Sequence, residues 1–253
     1  MDSPIIENKN FQVIPREDSR LHVEDIEYPG ETGNVFAYFT RPKGEIKLPG
    51  VIVIHDFRGL VPHVKDVARR VALEGFLAVA PDALSPLGGT PEDVDEARSL
   101  MQKLDSQATT KNFVAAVKYL KTHPQSTGKV GCVGFCWGGG VANQVAVNSP
   151  DLKAAVPFYG RQPASEDVPK IKASLLLHYA GLDERINEGI TAYEAAIKES
   201  NVDYKMHMYE GCSTWLFQQY DSPISRRISK ASLGTDDCFL KTKTSNLIAY
   251  HNL

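Results

Sequence analysis

Apolar residues in this chain come in short unbroken runs, and the stretches between them carry helical spacing. Val51-Ile52-Val53-Ile54-His55 is a run of the kind buried on both faces of a parallel sheet. Phe76 to Asp82, Lys129 to Phe135, Ala154 to Phe158, Ser174 to Ala180 and Tyr204 to Tyr209 predict further strands. Between them, Pro62 to Glu74 puts Val64, Val67, Ala68, Val71 and Ala72 on one side of a helix, and Ala108 to His123 does the same with Phe113, Ala116, Val117 and Leu120. Pro91-Glu92 opens a helix reaching about Leu104, Gly140 to Val147 reads as helix, and another is predicted from about Asn187 to Ser200. Val23 to Thr40 alternates around Pro-Gly and Thr-Gly-Asn, which predicts an antiparallel hairpin beside the main sheet. Strand and helix alternate, so the crossovers are expected to be right-handed and the sheet mostly parallel. The expectation is one doubly wound α/β domain over residues 23–211, after an irregular arm at 1–22.

One junction carries chemistry. Val130-Gly131-Cys132-Val133-Gly134-Phe135-Cys136-Trp137-Gly138-Gly139-Gly140 joins a strand to a helix through Gly-x-Cys-x-Gly-Gly. This is a nucleophile-elbow pattern with cysteine in the serine position: glycines stand where a Cβ would collide, and the bend lifts the nucleophile above the sheet. A helix N-terminus favours a thiolate there, and the Trp137 N–H points where an oxyanion would form. The competing reading is that Cys136 is a small buried hydrophobe in a Gly-rich turn.

Ligands of open parallel sheets bind beyond the carboxyl ends of the strands, which here means Asp56, Asp82, Cys136, Gly160 and Asp183. Asp183, in Gly181-Leu182-Asp183-Glu184-Arg185, follows a buried strand downstream of the elbow, where this order of catalytic parts puts the acid that orients a histidine. The competing reading is a turn-forming or helix-capping aspartate, and its place after an elbow favours the functional one. Phe57 N–H, after the first buried strand, is the candidate for the second oxyanion donor. Asp56 either holds Cys136 by a hydrogen bond or caps a loop. His55 and His178 lie in apolar strands and read as satisfied core histidines rather than bases.

With Lys+Arg 28 against Asp+Glu 31 and no basic run, the charge balance points to a small-molecule ligand and away from nucleic acid or an anionic membrane. Cysteines at 132, 136, 212 and 238 form no CxxC pair and no zinc-like set, so no metal is expected. Met1-Asp2-Ser3-Pro4 opens no signal peptide, and no apolar run approaches a membrane span. A cytoplasmic monomer or homodimer is the expectation.

Together these residues resemble the dienelactone hydrolase family, the cysteine-using branch of the α/β-hydrolase fold. The resemblance rests on Val51 to Leu60, Asp66-Val67-Ala68-Arg69-Arg70, Ala80-Pro81-Asp82, Gly88-Gly89-Thr90-Pro91, Gly134 to Gly139 and Tyr159-Gly160, and covers about residues 20 to 211. It implies a Cys-Asp-His triad that hydrolyses a small lactone or ester without metal or cofactor, with Cys136 as nucleophile and Asp183 as acid. It also implies an oxyanion hole from the N–H groups of Phe57 and Trp137. The family's thiol-modulating glutamate is matched by Asp56, one methylene shorter. An arginine that holds a substrate carboxylate in well-known members is matched by Pro86, which argues against a carboxylated dienelactone.

The resemblance breaks after Tyr209-Glu210-Gly211, where the family continues into its catalytic histidine and then Phe-Asn-Asn. Here Cys212-Ser213-Thr214-Trp215-Leu216-Phe217-Gln218-Gln219 follows, with no histidine between His207 and His251. Codons for these residues read one base later can spell Val-Gln-His-Gly-Phe, and the same shift turns Gln218-Gln219 into Asn-Asn. Ile228 through Phe239 becomes Ser-Ala-Lys-Leu-Ala-Trp-Glu-Arg-Thr-Ile-Ala-Phe, an amphipathic closing helix. Residues 212–253 are therefore read as a shifted frame, with the triad histidine expected across codons for Ser213 and Thr214 and the last helix lost. A hydrolase impaired as written is the leading expectation. Two others stand beside it: a silent homologue that keeps a binding pocket, and a cysteine-elbow protein of amidotransferase-like or redox type.

Overall fold

The structure, a computed structural model, describes residues 13–211. Most of the expected arm, the shifted-frame segment and the site of the missing histidine lie outside the described residues.

Eight strands form one sheet in the order β1-β2-β4-β3-β5-β6-β7-β8. β1 (Leu21–Gly30) and β2 (Gly33–Pro42) make the antiparallel hairpin, and β2 also pairs antiparallel with β4 (Leu77–Pro81). From β4 onward every pairing is parallel, through β3 (Leu48–Ile54), β5 (Ser126–Phe135), β6 (Leu152–Phe158), β7 (Ser174–Ala180) and β8 (Tyr204–Tyr209). The continuous apolar runs are the central strands, and Val51 to Ile54 are wholly buried because helices cover both faces. β1 opens at Leu21, two residues ahead of the hairpin read from the sequence. The segment before it is tied down: Asp66 accepts the Ile14 N–H at 2.7 Å, and Arg69 Nε donates to the Ile14 carbonyl at 2.6 Å.

The helices are α1 (Pro62–Leu73), α2 (Val94–Met101), α3 (Ser106–Thr122), α4 (Trp137–Asn148), α5 (Glu184–Asn187) and α6 (Ile190–Glu199). α2 begins three residues later than Pro91 suggests, because Asp93 accepts the Glu96 N–H and sets the cap there. α3 starts at Ser106, two residues before the expected Ala108, under an Asp105 cap that accepts the Ala108 N–H. The helix expected from about Asn187 to Ser200 is α6, and a short α5 capped by Asp183 precedes it, parted from it at Glu188-Gly189. Both cores sit against the sheet: one gathers α3, α4 and α6 on one face, the other gathers α1 on the opposite face.

Candidate active site

Glycine sets how closely α4 can approach the sheet. A Cβ on Gly138 would stand 2.3 Å from the carbonyl oxygen of His55, and one on Gly160 would stand 2.1 Å from the carbonyl carbon of Gly139. Only residues without side chains let the start of α4 rest on the ends of β3 and β6. Between β5 and α4 the backbone must turn sharply, so Cys136 takes φ 55° and ψ −115°. A non-glycine residue at such angles costs on the order of 1–3 kcal/mol. The surrounding hydrogen bonds hold it there: Cys136 N–H donates to the Phe158 carbonyl at 3.0 Å, and the Cys136 carbonyl accepts Gly140 N–H at 3.2 Å. Cys136 is therefore at a true elbow, half-buried, facing a cleft of about 1280 Å³ that Trp137, Tyr159, Arg161, Arg185 and Tyr193 also line.

The sulfur is not favoured as a thiolate in this chain. Burial pushes the Cys136 thiol up, and the charges of Asp56 and Asp183 push the same way. A hydrogen bond from the Trp137 N–H and the nearby Arg185 guanidinium pull it down without overcoming desolvation. This reverses the expectation drawn from the helix N-terminus alone, because that field is confined to the first turn whereas the loss of water surrounds the sulfur.

His55 links the end of β3 to Trp137, whereas the Phe57 ring lies under the Arg98 guanidinium and is not among the residues that line the cleft. The His55 ring stacks on the Trp137 indole with centroids 5.3 Å apart, while Phe57 follows two residues later on the same strand end. Asp56 is 7% exposed, and its carboxylate is occupied by Arg58, which donates Nη2 to Oδ2 at 2.6 Å, Nε to both oxygens and its backbone N–H to Oδ1 at 2.9 Å. The loop-capping alternative thus describes its contacts, and its influence on the sulfur is through charge.

Asp183 lies just past β7 and accepts the Ile186 N–H at 3.2 Å as the cap of α5. Its charge also reaches the thiol. β8 ends alongside: Gly181 N–H donates to the Tyr209 carbonyl at 3.0 Å, and a Cβ on Gly181 would lie 3.1 Å from the Cα of Glu210. The chain leaving β8 therefore departs beside the loop that carries Asp183.

His55 and His178 are both fully buried. His178 stacks on Phe158 at 4.4 Å and meets the Tyr209 hydroxyl through Nδ1 at 3.0 Å, and burial takes its pKa down to about 3. It is a core histidine as expected but not a satisfied one, since among the described residues its buried Nε2 has no hydrogen-bond partner. His63 is likewise lowered to about 3, by burial first and by Arg58 next. Among the described residues no histidine lines the cleft. Sequence reasoning assigned no role to Arg58, Arg185 or Tyr159. Arg58 and Arg185 each stand two residues after a strand-end aspartate, a spacing that could have drawn attention to them, whereas Tyr159 shows its importance only in a backbone held at φ 38°. Among the described residues no group of three or more His, Cys, Asp or Glu could hold a metal ion, and no helix is long and apolar enough to cross a membrane.

Comparison with known proteins gives a match to the dienelactone hydrolase family over residues 35–232. The chain belongs to that family. The family match reaches beyond Gly211, where the sequence resemblance was expected to break. A putative carboxymethylenebutenolidase of Escherichia coli O157:H7 is 31% identical over 197 residues, covering 72% of this chain and 72% of the relative. Another from Saccharolobus solfataricus is 29% identical, covering 74% of this chain and 86% of the relative. Among solved structures, a dienelactone hydrolase-like promiscuous phosphotriesterase, P91, from metagenomic libraries is 26% identical, with TM-score 0.66 over 75% of this chain and 82% of that one. A putative dienelactone hydrolase from Klebsiella pneumoniae shares the fold at TM-score 0.69 and 21% identity, covering 90% of this chain and 99% of that one. This chain is thus a dienelactone hydrolase-like protein of α/β-hydrolase fold.

Proposed function

We propose that this dienelactone hydrolase family member acts on a small lactone or carboxylic ester through Cys136. Asp183 is the acid of the triad, the N–H groups of Phe57 and Trp137 form the oxyanion hole, and Asp56 sets the charge beside the thiol. One observation carries the reading: Cys136 is held at φ 55° on the start of α4, open to the cleft, with Asp183 and Arg185 near enough for their charges to act on the sulfur. The sulfur attacks the acyl carbon, the carbonyl oxygen becomes an oxyanion on two N–H groups, and the alcohol oxygen leaves. Water then cleaves the thioester. Among the described residues no imidazole lines the cleft to take the thiol proton, which supports impaired turnover in the chain as written. The free thiols Cys132 and Cys136 favour a reducing compartment such as the cytoplasm.

Mixing the chain with excess 4-nitrophenyl acetate at pH 9 tests this. A burst of 4-nitrophenolate close to one per chain, absent in Cys136→Ala, is expected. No burst, or a burst that survives Cys136→Ala, overturns the assignment.

A second reading is a silent homologue that binds a ligand without turning it over. It is favoured by a thiol that burial holds protonated and by a cleft with no histidine among its described lining. Ligand binding without any burst at any pH would select it.

A further inference from the structure

His55 is wholly buried at the end of β3, and both of its ring nitrogens are engaged. Nε2 stands 3.1 Å from the backbone nitrogen of Ala83, and a backbone N–H can only donate, so Nε2 is an unprotonated acceptor. The ring proton is therefore on Nδ1, which stands 2.6 Å from the carbonyl oxygen of Asp56 and donates to it. That carbonyl belongs to the same planar peptide unit as the N–H of Phe57. The His55 ring also stacks on Trp137 at 5.3 Å and 16°, and the carbonyl of His55 is the atom against which Gly138 packs.

We propose that His55 is the positioning residue of the oxyanion hole, its Nδ1–H orienting the Asp56–Phe57 peptide so that the Phe57 N–H faces the acyl oxygen on Cys136. A hydrogen bond on the carbonyl side of a peptide also polarises its N–H, so the same contact strengthens the donor. Burial keeps the ring neutral, which preserves the acceptor at Nε2 and hence the tautomer. The far side of the loop is pinned independently: Leu60 N–H donates to the Thr90 hydroxyl at 2.8 Å, and that hydroxyl donates to Asp82 at 2.8 Å. The Asp56 carbonyl also accepts the Gly59 N–H at 3.2 Å from within the loop, so His55, at 2.6 Å, is the closer of two donors on the peptide that supplies the Phe57 N–H.

The inference rests on the proposed nucleophile and oxyanion hole, and its test separates the two. In the full-length chain, two reactions of the same sulfur are compared. Acylation by 4-nitrophenyl acetate forms an S–C bond, passes through an oxyanion and releases 4-nitrophenolate. Alkylation by iodoacetamide forms an S–C bond and releases iodide without any oxyanion. His55→Phe keeps the stacked ring but loses both hydrogen bonds; it should slow acylation about 10²-fold, the scale of losing one oxyanion donor, and leave alkylation within about twofold. His55→Asn, whose amide nitrogen replaces Nδ1, should restore most of the acylation rate. Equal slowing of both reactions, or Asn no better than Phe, shows a merely structural role and overturns the inference. Unchanged acylation in both variants overturns it too. If the unsubstituted chain shows no Cys136-dependent acylation, the functional reading itself has failed.

Discussion

Gly138 on α4 and His55, directly after β3, meet backbone to backbone, so that a Cβ on the first would stand 2.3 Å from the carbonyl oxygen of the second. The contact sets the distance between the Trp137 and Phe57 loops. Gly138→Ala forces α4 away from the sheet, and overpacking of this kind costs about 1–3 kcal/mol. The expected outcome is a lower urea midpoint with unchanged m-value, together with slower acylation of Cys136. An alanine variant with the original midpoint and burst rate contradicts the contact.

Charge around the sulfur is balanced between Arg185, which lowers the thiol pKa, and Asp56, which raises it. Arg185→Gln should therefore move the iodoacetamide reactivity of Cys136 to higher pH. Asp56→Asn should move it to lower pH, helped by the Arg58 guanidinium that the substitution releases. Rate against pH for the three chains decides it, and profiles shifted in the opposite order refute the assignment.

Thr90 links two loops at the carboxyl end of the sheet, since its hydroxyl accepts from Leu60 and donates to Asp82 while its backbone N–H donates to the other Asp82 oxygen at 2.7 Å. Thr90→Val keeps the shape and removes both hydroxyl bonds. It should destabilise the fold by about 1–3 kcal/mol, because a partly buried N–H and a carboxylate oxygen each lose a partner. Chemical denaturation measures it, and a change under about 0.5 kcal/mol excludes the role.

Burial holds His178 and His63 at pKa values of about 3, whereas the unfolded chain titrates its histidines near 6.5. Between those values the unfolded state binds protons that the folded state refuses, so stability is complete above pH about 6.5 and falls as pH drops toward about 3. Each histidine contributes a slope of about 1.4 kcal/mol per pH unit in that window. His178→Phe should flatten the pH dependence of the urea midpoint between pH 6 and 4 by about one histidine's share. An unaltered slope means that His178 takes up a proton in the folded state.

On the reading that residues 212–253 are out of frame, restoring the frame would bring in a histidine shortly after Gly211, and up to Gly211 the chain leaving β8 runs beside the Asp183 loop. The restored chain should hydrolyse 4-nitrophenyl acetate with turnover at least about 10³-fold faster than the chain as written, since triad members act as a unit. Sequencing the coding DNA across codons 205–253 comes first. If the second frame gives neither CAT nor CAC at the junction of Ser213 and Thr214, the frame reading is wrong.

Much of the fold was readable from periodicity. Val51 to Ile54 and Leu175 to Leu177 read as strands buried on both faces, and the Gly-x-Cys-x-Gly-Gly turn read as a tight strand-to-helix junction; both are so in the structure. Boundaries were less legible where a side chain sets them: Asp93, Asp105 and Asp183 each cap a helix at a point that apolar spacing does not mark. The site was legible as a set of strand ends, Asp56, Cys136 and Asp183, because parallel strands place their carboxyl ends together. The balance of forces on it was not. A thiolate at Cys136 follows from the helix N-terminus alone, and only the packed surroundings show that desolvation wins.

The sequence by itself determined the alternation of strand and helix, the cysteine at the bend and the place of the carboxylates, since these depend on local spacing and on where glycine is indispensable. Tertiary structure alone decided that Arg58 takes the Asp56 carboxylate, that His55 grips the peptide bearing the Phe57 N–H, and that desolvation pushes the Cys136 thiol up. The physical reason is that the direction of even the local Arg58 and His55 hydrogen bonds is set by the folded loop, while the Ala83 N–H and the packing that removes water from the sulfur come from segments distant in sequence. His55 and Ala83, 28 positions apart, meet only once β3 and β4 lie side by side.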